Sequence, residues 1–312
     1  LKQKLDKMSH KPQILLVGGH GFLGTHLQQA LEKDWTVRVY GRSGKAVSGL
    51  ANHQAQRIES NAELDAAMGG CDAVAYLVHE TSSSPYLDTD RLAVARNMEL
   101  LLLVLESAER CGVGNVLFFS SGGAVYGVPM VKHVLESHPL SPISSYGVAK
   151  VSMEMYLHFA ARAGKFKTLI IRPSNPFGLG QNPNRKQGVI PIYAQKILKG
   201  EPIEIWGDGR AAKDYIHVTD MAAAVSKLVA KGFDNEVYNV GSGTGTTLLE
   251  IVDCLEKVTG LSGNISFMPQ RANDVSSIVL DTQKIRSSIA WKVEVKLEDG
   301  IREVVSCLED KR

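Results

Sequence analysis

A chain of 312 residues, 44% hydrophobic and 22% charged, has an ordinary globular composition and enough length for one large domain plus a smaller lobe. Its 35 basic and 33 acidic residues leave a net charge of +2, so there is no electrostatic case for nucleic acid or a membrane surface as partner. The longest apolar run, residues 100–105, is too short to span a bilayer, and the scattered cysteines Cys71, Cys111, Cys254 and Cys307 show no metal-ligand spacing, so reduced thiols, a cytoplasmic location and no metal site are expected.

Residues 1–11 are charged, lack the apolar stretch of a signal peptide, and read as a flexible tail. An apolar run at 13–17 follows, then Gly18-Gly19-His20-Gly21-Phe22-Leu23-Gly24, then a helix-like stretch at 25–33. Strand, glycine turn and helix in that order form a phosphate cradle. Glycines let the backbone approach a pyrophosphate, and the helix offers its N-terminal N–H groups to that anion. Gly18, Gly21, Phe22, Leu23 and Gly24 are therefore cofactor-binding candidates. A second strand at 36–40 leads to Gly41-Arg42. An acid is expected there to hold the adenosine ribose. Its absence beside Arg42 leaves both NAD and NADP open, with Arg42 as partner of a 2′-phosphate or as a residue stacked on adenine or lying in solvent.

The spacing predicts a short helix at 62–68, a strand at 73–78, one long helix at 92–110 and a strand at 115–119 that runs into Ser120-Ser121-Gly122-Gly123-Ala124-Val125-Tyr126-Gly127. A helix is expected from Tyr146, then strands at 168–172 and 237–240. Residues 175–178 and 181–188 read as loop, followed by a helix at 191–199, a strand at 202–206, and helices at 248–259 and 296–308. Strands alternating with helices mean an α/β, Rossmann-type doubly wound parallel sheet whose ligands sit at the carboxyl ends of the strands. The expected division is a dinucleotide-binding domain at 12–175, with 214–243 returning to it, and a C-terminal substrate-binding lobe from 176–213 and 244–312.

Ser144-Ser145-Tyr146-Gly147-Val148-Ala149-Lys150 carries the chemistry. Tyr146 and Lys150, four apart, share one helix face. An ammonium beside a phenol favours the phenolate, so the pair can move a proton to and from a sugar or alcohol hydroxyl near neutral pH. The histidines His10, His20, His26, His53 and His79 show no ligand spacing, while His217, Trp206 and Trp291 read as packing residues.

These motifs together resemble the extended short-chain dehydrogenase/reductase superfamily, and within it the NAD-dependent nucleotide-sugar epimerase/dehydratase family, in its UDP-glucose/UDP-galactose 4-epimerase-like branch. The resemblance covers residues 12–308 and rests on 18–24, 120–127, 146–150, 172–178 and the run Asp214 to Val218 followed by Asp220. It implies a nucleotide-diphosphate sugar as partner and 4-epimerisation through a 4-keto intermediate. In that scheme Tyr146 is the proton carrier, Lys150 holds the nicotinamide ribose and lowers the phenol's pKa, and Ser120 and Pro173 lie against the cofactor. Asn175, Lys213, Arg271 and Asp274 match substrate-binding positions. It also implies a homodimer through a four-helix bundle. The family's third catalytic residue, a Ser or Thr, falls at Gly122 here, leaving Ser121 as substitute with Ser120 behind it. The acid pair of the sugar dehydratases falls at Gly123 and Ala124. Two other readings are an NADPH-dependent reductase of a nucleotide-linked 4-keto sugar and a non-catalytic cofactor-sensing protein.

Overall fold

The computed structural model describes residues 11–41, 53–55, 61–80, 92–185, 187–270 and 277–310. Seven parallel strands form the main sheet: β1 (Gln13–Val17), β2 (Thr36–Gly41), β3 (His53–Ala55), β4 (Ala73–Tyr76), β5 (Asn115–Phe119), β6 (Lys167–Pro173) and β10 (Glu236–Val240). Their order is β10-β6-β5-β4-β1-β2-β3. The order reverses direction beside β1, the switch point at which such sheets bind ligands. β1 shows why it is central. Ile14 and Leu16 point into one core and Leu15 and Val17 into the other, all fully buried. A strand covered on both faces must be apolar at every position rather than at alternate ones.

On one face lie α1 (Phe22–Leu31) and α6 (Val218–Lys231), through Leu27, Leu31, Val218, Met221, Val225 and Leu228. On the other lie α2 (Asn61–Met68), α3 (Ala93–Cys111) and α4 (Ser145–Arg162), through Leu64, Met68, Leu101, Val104, Met153 and Leu157. Of the 100–105 patch, Leu101, Val104 and Leu105 are buried and the other three leucines half-buried.

A separate core forms the lobe. It joins α5 (Val189–Lys199), β8 (Ile203–Trp206), α7 (Leu248–Thr259) and α9 (Leu297–Glu309) through Ile197, Ile203, Ile251, Leu255 and Ile301. β8 pairs with β12 (Ile265–Met268). A three-stranded sheet, β7 (Asn175–Phe177), β9 (Ala212–His217) and β11 (Gly245–Thr247), connects lobe and main sheet. The sequence reading left β3, β9, β11 and β12 unassigned, and three further regions differ from it. Residues 175–177 form a strand rather than loop because β9 pairs with them. The motif at 214–220 is the end of β9 and the start of α6. Helix α8 (Gln283–Ile289) places Ile285, and Trp291 just beyond it, in the core of the main sheet rather than in the lobe.

Candidate active site

The turn after β1 is tight for internal reasons at Gly18, Gly19 and Gly24. Gly18 has φ +87 and its N–H donates to the Tyr40 carbonyl at 2.7 Å. A Cβ at Gly24 would run into the Gly19 backbone. Gly21 differs: its backbone is extended, it is exposed, and a Cβ there would meet nothing nearer than the Gly18 carbonyl at 3.4 Å. The protein does not need glycine at 21 for its own packing, but a ligand approaching the backbone does. No side chain caps α1, so its first N–H groups remain for an anion. Phe22 and Leu23, half-buried, open that helix.

Past the ends of β5 and β6 sit two buried hydroxyls, Ser120 and Ser174, 4% and 7% exposed, neither with a hydrogen-bond partner among the described residues. Leaving a buried hydroxyl unsatisfied costs about 1–3 kcal/mol, so such groups mark places where something else completes the bonding. Ser120 lies next to Ser121 and, through the β5–β6 pairing, close to Pro173, the last residue of β6. The glycine turn, the uncapped helix and the orphaned Ser120 hydroxyl together fit a dinucleotide running from β1 toward β5.

α4 starts where Ser144 accepts a hydrogen bond from the Gly147 N–H, 3.1 Å, so Tyr146 stands in its first turn and Lys150 and Glu154 follow at four-residue steps. Lys150 is 3% exposed, and its Nζ donates to the Phe119 carbonyl at 2.7 Å and lies 5.8 Å from the Tyr146 ring centroid. Burial pushes its pKa down to about 7, opposed by the Glu154 carboxylate. The Tyr146 phenol moves the other way: burial raises it, and the Ser121 hydroxyl beside it draws it back. Burial also weakens the lysine's own charge, so Ser121 is the neighbour that favours the phenolate in the chain by itself.

Gly122 explains why Ser121 has that place. A Cβ at 122 would come within 2.6 Å of the Leu280 side chain and 3.1 Å of the Pro173 carbonyl. A Ser or Thr at the family's position would have to push the Leu280 methyl groups aside.

Behind Lys150 is a buried polar network. Glu154, fully buried, receives the Arg172 guanidinium, with Nε at 3.0 Å and Nη2 on the second oxygen. Arg172 Nη1 donates to the Tyr126 hydroxyl at 2.8 Å, and that hydroxyl donates to Asn239 at 2.7 Å. Burial works against the Arg172 charge, but the bonds and field of Glu154 outweigh it and leave the guanidinium above its ordinary pKa.

Of the expected substrate residues, Asn175 opens β7 and its amide donates to the Asp214 carbonyl at 2.9 Å, while its Oδ1 faces Gly123. Lys213 lies in β9 opposite Thr246. Arg42, Arg271 and Asp274 lie outside the described residues. Asp214 acts within the fold, where its carboxylate accepts from the Ser242 hydroxyl and the Ser242, Gly243 and Leu280 N–H groups. His217 is buried against Phe177 and bonded to Thr219, as a packing residue is.

The sequence reading missed His79. Its ring stands edge-on to Tyr146, centroids 4.4 Å apart at 82°. Burial, then Lys150, hold its pKa down to about 3, so it is neutral. A cleft of about 490 Å³ between residues 178–184, α5 and α9 contains neither Tyr146, Lys150 nor Ser121. Among the described residues no group of three or more His, Cys, Asp or Glu could hold a metal, and no helix is long and apolar enough to cross a membrane.

Residues 14–241 match the model of the NAD dependent epimerase/dehydratase family. The chain is similar to a UDP-glucose 4-epimerase of Thermotoga maritima solved with UDP-glucose, 32% identical over 96% of this chain and 99% of that one, TM-score 0.88. It is also similar to the UDP-glucose 4-epimerase of Thermus thermophilus solved with NAD, 26% identical over 95% and 99%, TM-score 0.85. A dTDP-4-dehydro-6-deoxyglucose reductase of Escherichia coli is 28% identical over 96% of this chain and 99% of its own length.

Proposed function

The chain belongs to the NAD-dependent epimerase/dehydratase family, and from that premise we propose that it is a nucleotide-sugar 4-epimerase of the UDP-hexose type. The observation that carries this reading is the cluster of Tyr146, Ser121 and Lys150 beside a turn fitted to a dinucleotide, with no carboxylate at 123 or 124. Dehydration needs a proton donor at the sugar's leaving group, and Gly123 and Ala124 cannot supply one.

Bound NAD supplies a hydride acceptor for the sugar C4 and a cationic ring that favours the phenolate. The chain's part is to hold one proton. Tyr146 Oη takes it from the sugar 4-hydroxyl as C4 becomes a ketone, and returns it to the oxygen after the ketone has turned its other face. Ser121 donates to Oη while it is charged. Lys150, fixed on the Phe119 carbonyl, would hold the nicotinamide ribose. Ser120 and Pro173 would lie against the nicotinamide, and Asn175 and Lys213 would bind the nucleotide diphosphate. Arg42, Arg271 and Asp274 are proposed for the adenosine ribose and the sugar nucleotide on sequence grounds alone. The four cysteines are free, which accords with a reducing cytoplasm.

The test is conversion of UDP-glucose and UDP-galactose by the purified protein with no cofactor added, together with release and identification of whatever nicotinamide it carries. Interconversion with bound NAD and no net reduction supports epimerisation. Stoichiometric consumption of NADPH against a 4-keto sugar, with no interconversion, would make the protein a reductase.

Gly21→Val tests the seat itself. The side chain has room within the protein, so the variant is expected to fold with unchanged thermal stability and to lose bound NAD. Retained NAD in the folded variant would place the pyrophosphate elsewhere.

We also propose a homodimer in which α3 and α4 pair with their symmetry mates as a four-helix bundle. Met155 and Phe159 on α4 are 64% and 54% exposed, with Val148 two to three turns before them and the half-buried Leu102 and Leu103 on neighbouring α3. Large apolar side chains in line on two adjacent helices suit an isologous interface. Sedimentation of the parent is expected to show a dimer at micromolar concentration, and Met155→Glu with Phe159→Glu a monomer. A monomeric parent would exclude the bundle.

A further inference from the structure

His79 sits between the two halves of the proposed site, and the backbone around it is pinned on both sides. The Leu77 N–H donates to the Val17 carbonyl at 2.9 Å, at the point where β1 enters the glycine turn. Val78 packs on Gly18, leaving no space for a larger residue there. The Glu80 N–H donates to the side chain of fully buried Asn97 on α3 at 3.0 Å, and Asn97 in turn donates to the Ala93 carbonyl at 2.8 Å. A ring on so restrained a segment has little freedom, and its edge-on contact with Tyr146 has the perpendicular geometry that aromatic pairs prefer.

We infer that His79 is a positioning residue for Tyr146, its ring fixing the plane of the phenol so that the hydroxyl stays on Ser121. This inference rests on the epimerase reading, in which Tyr146 carries the proton. The phenol of a tyrosine can swing about its Cα–Cβ and Cβ–Cγ bonds. Lys150, held on the Phe119 carbonyl, stands over the ring at 5.8 Å from its centroid, Ser121 lies by the hydroxyl end, and His79 meets the ring edge-on at the shorter distance of 4.4 Å. The imidazole suits this task because it stays neutral beside Lys150, so it packs without adding a second positive charge to the site. The arrangement also couples the cofactor turn to the proton carrier. The segment that carries His79 is the one that closes on Gly18, so the turn and the Tyr146 ring share one rigid support.

The experiment compares the parent with His79→Ala, His79→Phe, His79→Leu and Tyr146→Phe. The readouts are single-turnover reduction of the bound NAD by a UDP-hexose, and KM. His79→Ala and His79→Leu are expected to slow hydride transfer about tenfold with KM within about twofold, while His79→Phe, which keeps a ring edge, returns to within about threefold of the parent. Should the alanine variant not fold, the leucine variant, which fills the volume without a ring, carries the comparison. Parental rates in the alanine or leucine variant would overturn the inference. So would a phenylalanine variant as slow as leucine, which would assign the effect to an imidazole nitrogen, or a raised KM at unchanged rate, which would make His79 a wall of the sugar pocket. Tyr146→Phe separates the two levels. If it is inactive while His79→Ala is normal, only the positioning role falls. If Tyr146→Phe keeps the parental rate, the epimerase reading falls first.

Discussion

Tyr146→Phe is expected to slow reduction of the bound NAD by UDP-hexose by about 10²–10⁴-fold, the range typical for loss of a positioned acid–base group. The change removes one oxygen. The ring, its contact with His79 and its place in the first turn of α4 are kept. Cofactor content and thermal stability should therefore match the parent, and the loss should appear in the chemical step. Burial raises the phenol while Ser121 draws it back, so Ser121→Ala is expected to slow the reaction too, by less than the loss of the phenol. Lys150→Met is expected to do damage of the Tyr146→Phe order and also to weaken NAD retention, because the same ammonium is the one proposed to hold the ribose. Stopped-flow reduction for each variant gives the ranking, and a Tyr146→Phe enzyme with parental hydride transfer would remove the proposed chemistry.

Glu154→Leu is expected to lower the free energy of unfolding by about 3–5 kcal/mol, read as a fall in the urea midpoint. The reason is Arg172. It is 3% exposed and its guanidinium is held charged chiefly by the two oxygens of Glu154. Removing the carboxylate leaves a cation in a dry interior with, among the described residues, the Tyr126 hydroxyl and the Glu136 carbonyl to satisfy it. Removing both charges, as in Glu154→Leu with Arg172→Met, is expected to recover most of the loss, since paired apolar side chains of similar volume replace buried ion pairs at little net change. A single variant as stable as the parent would show that water reaches the guanidinium. The network joins α4, β5 and β6 through Lys150, so the single variant is also expected to lower turnover.

Much of the main sheet was legible because its strands are continuous apolar runs bounded by glycine or polar turns. The predicted strand at 115–119 matches β5 end to end, and the predicted helix at 248–259 matches α7, whose Thr247–Glu250 capping box marks its start. The unread part has two causes. β7 is three residues long with a proline at its centre, and only its pairing with β9, almost forty residues later, makes it a strand. Sequence patterns report local preference and are silent on such pairings. Helix α6 is a different case. Its buried positions Val218, Met221, Ala222, Val225, Leu228 and Val229 follow helical spacing, so the sequence does carry its signal.

The site divides the same way. Tyr146 and Lys150 could be paired from their spacing because one helix holds both. His79 could not be paired with Tyr146, since 67 residues separate them and the contact exists only because the carboxyl end of β4 opens beside α4. The substitute role of Ser121 was reachable by counting, but the reason for it was not, because that reason is the side chain of Leu280, which comes from the far end of the chain.

The contact of Gly122 with Leu280 ties together two stretches of the chain that lie far apart in sequence. A hydroxyl placed at position 122 would first push the Leu280 methyl groups aside, and trimming Leu280 alone would open a hole beside a glycine. The effects of changes at the two positions are therefore expected not to add, and a double-mutant cycle on Gly122→Ser and Leu280→Ala measures the coupling.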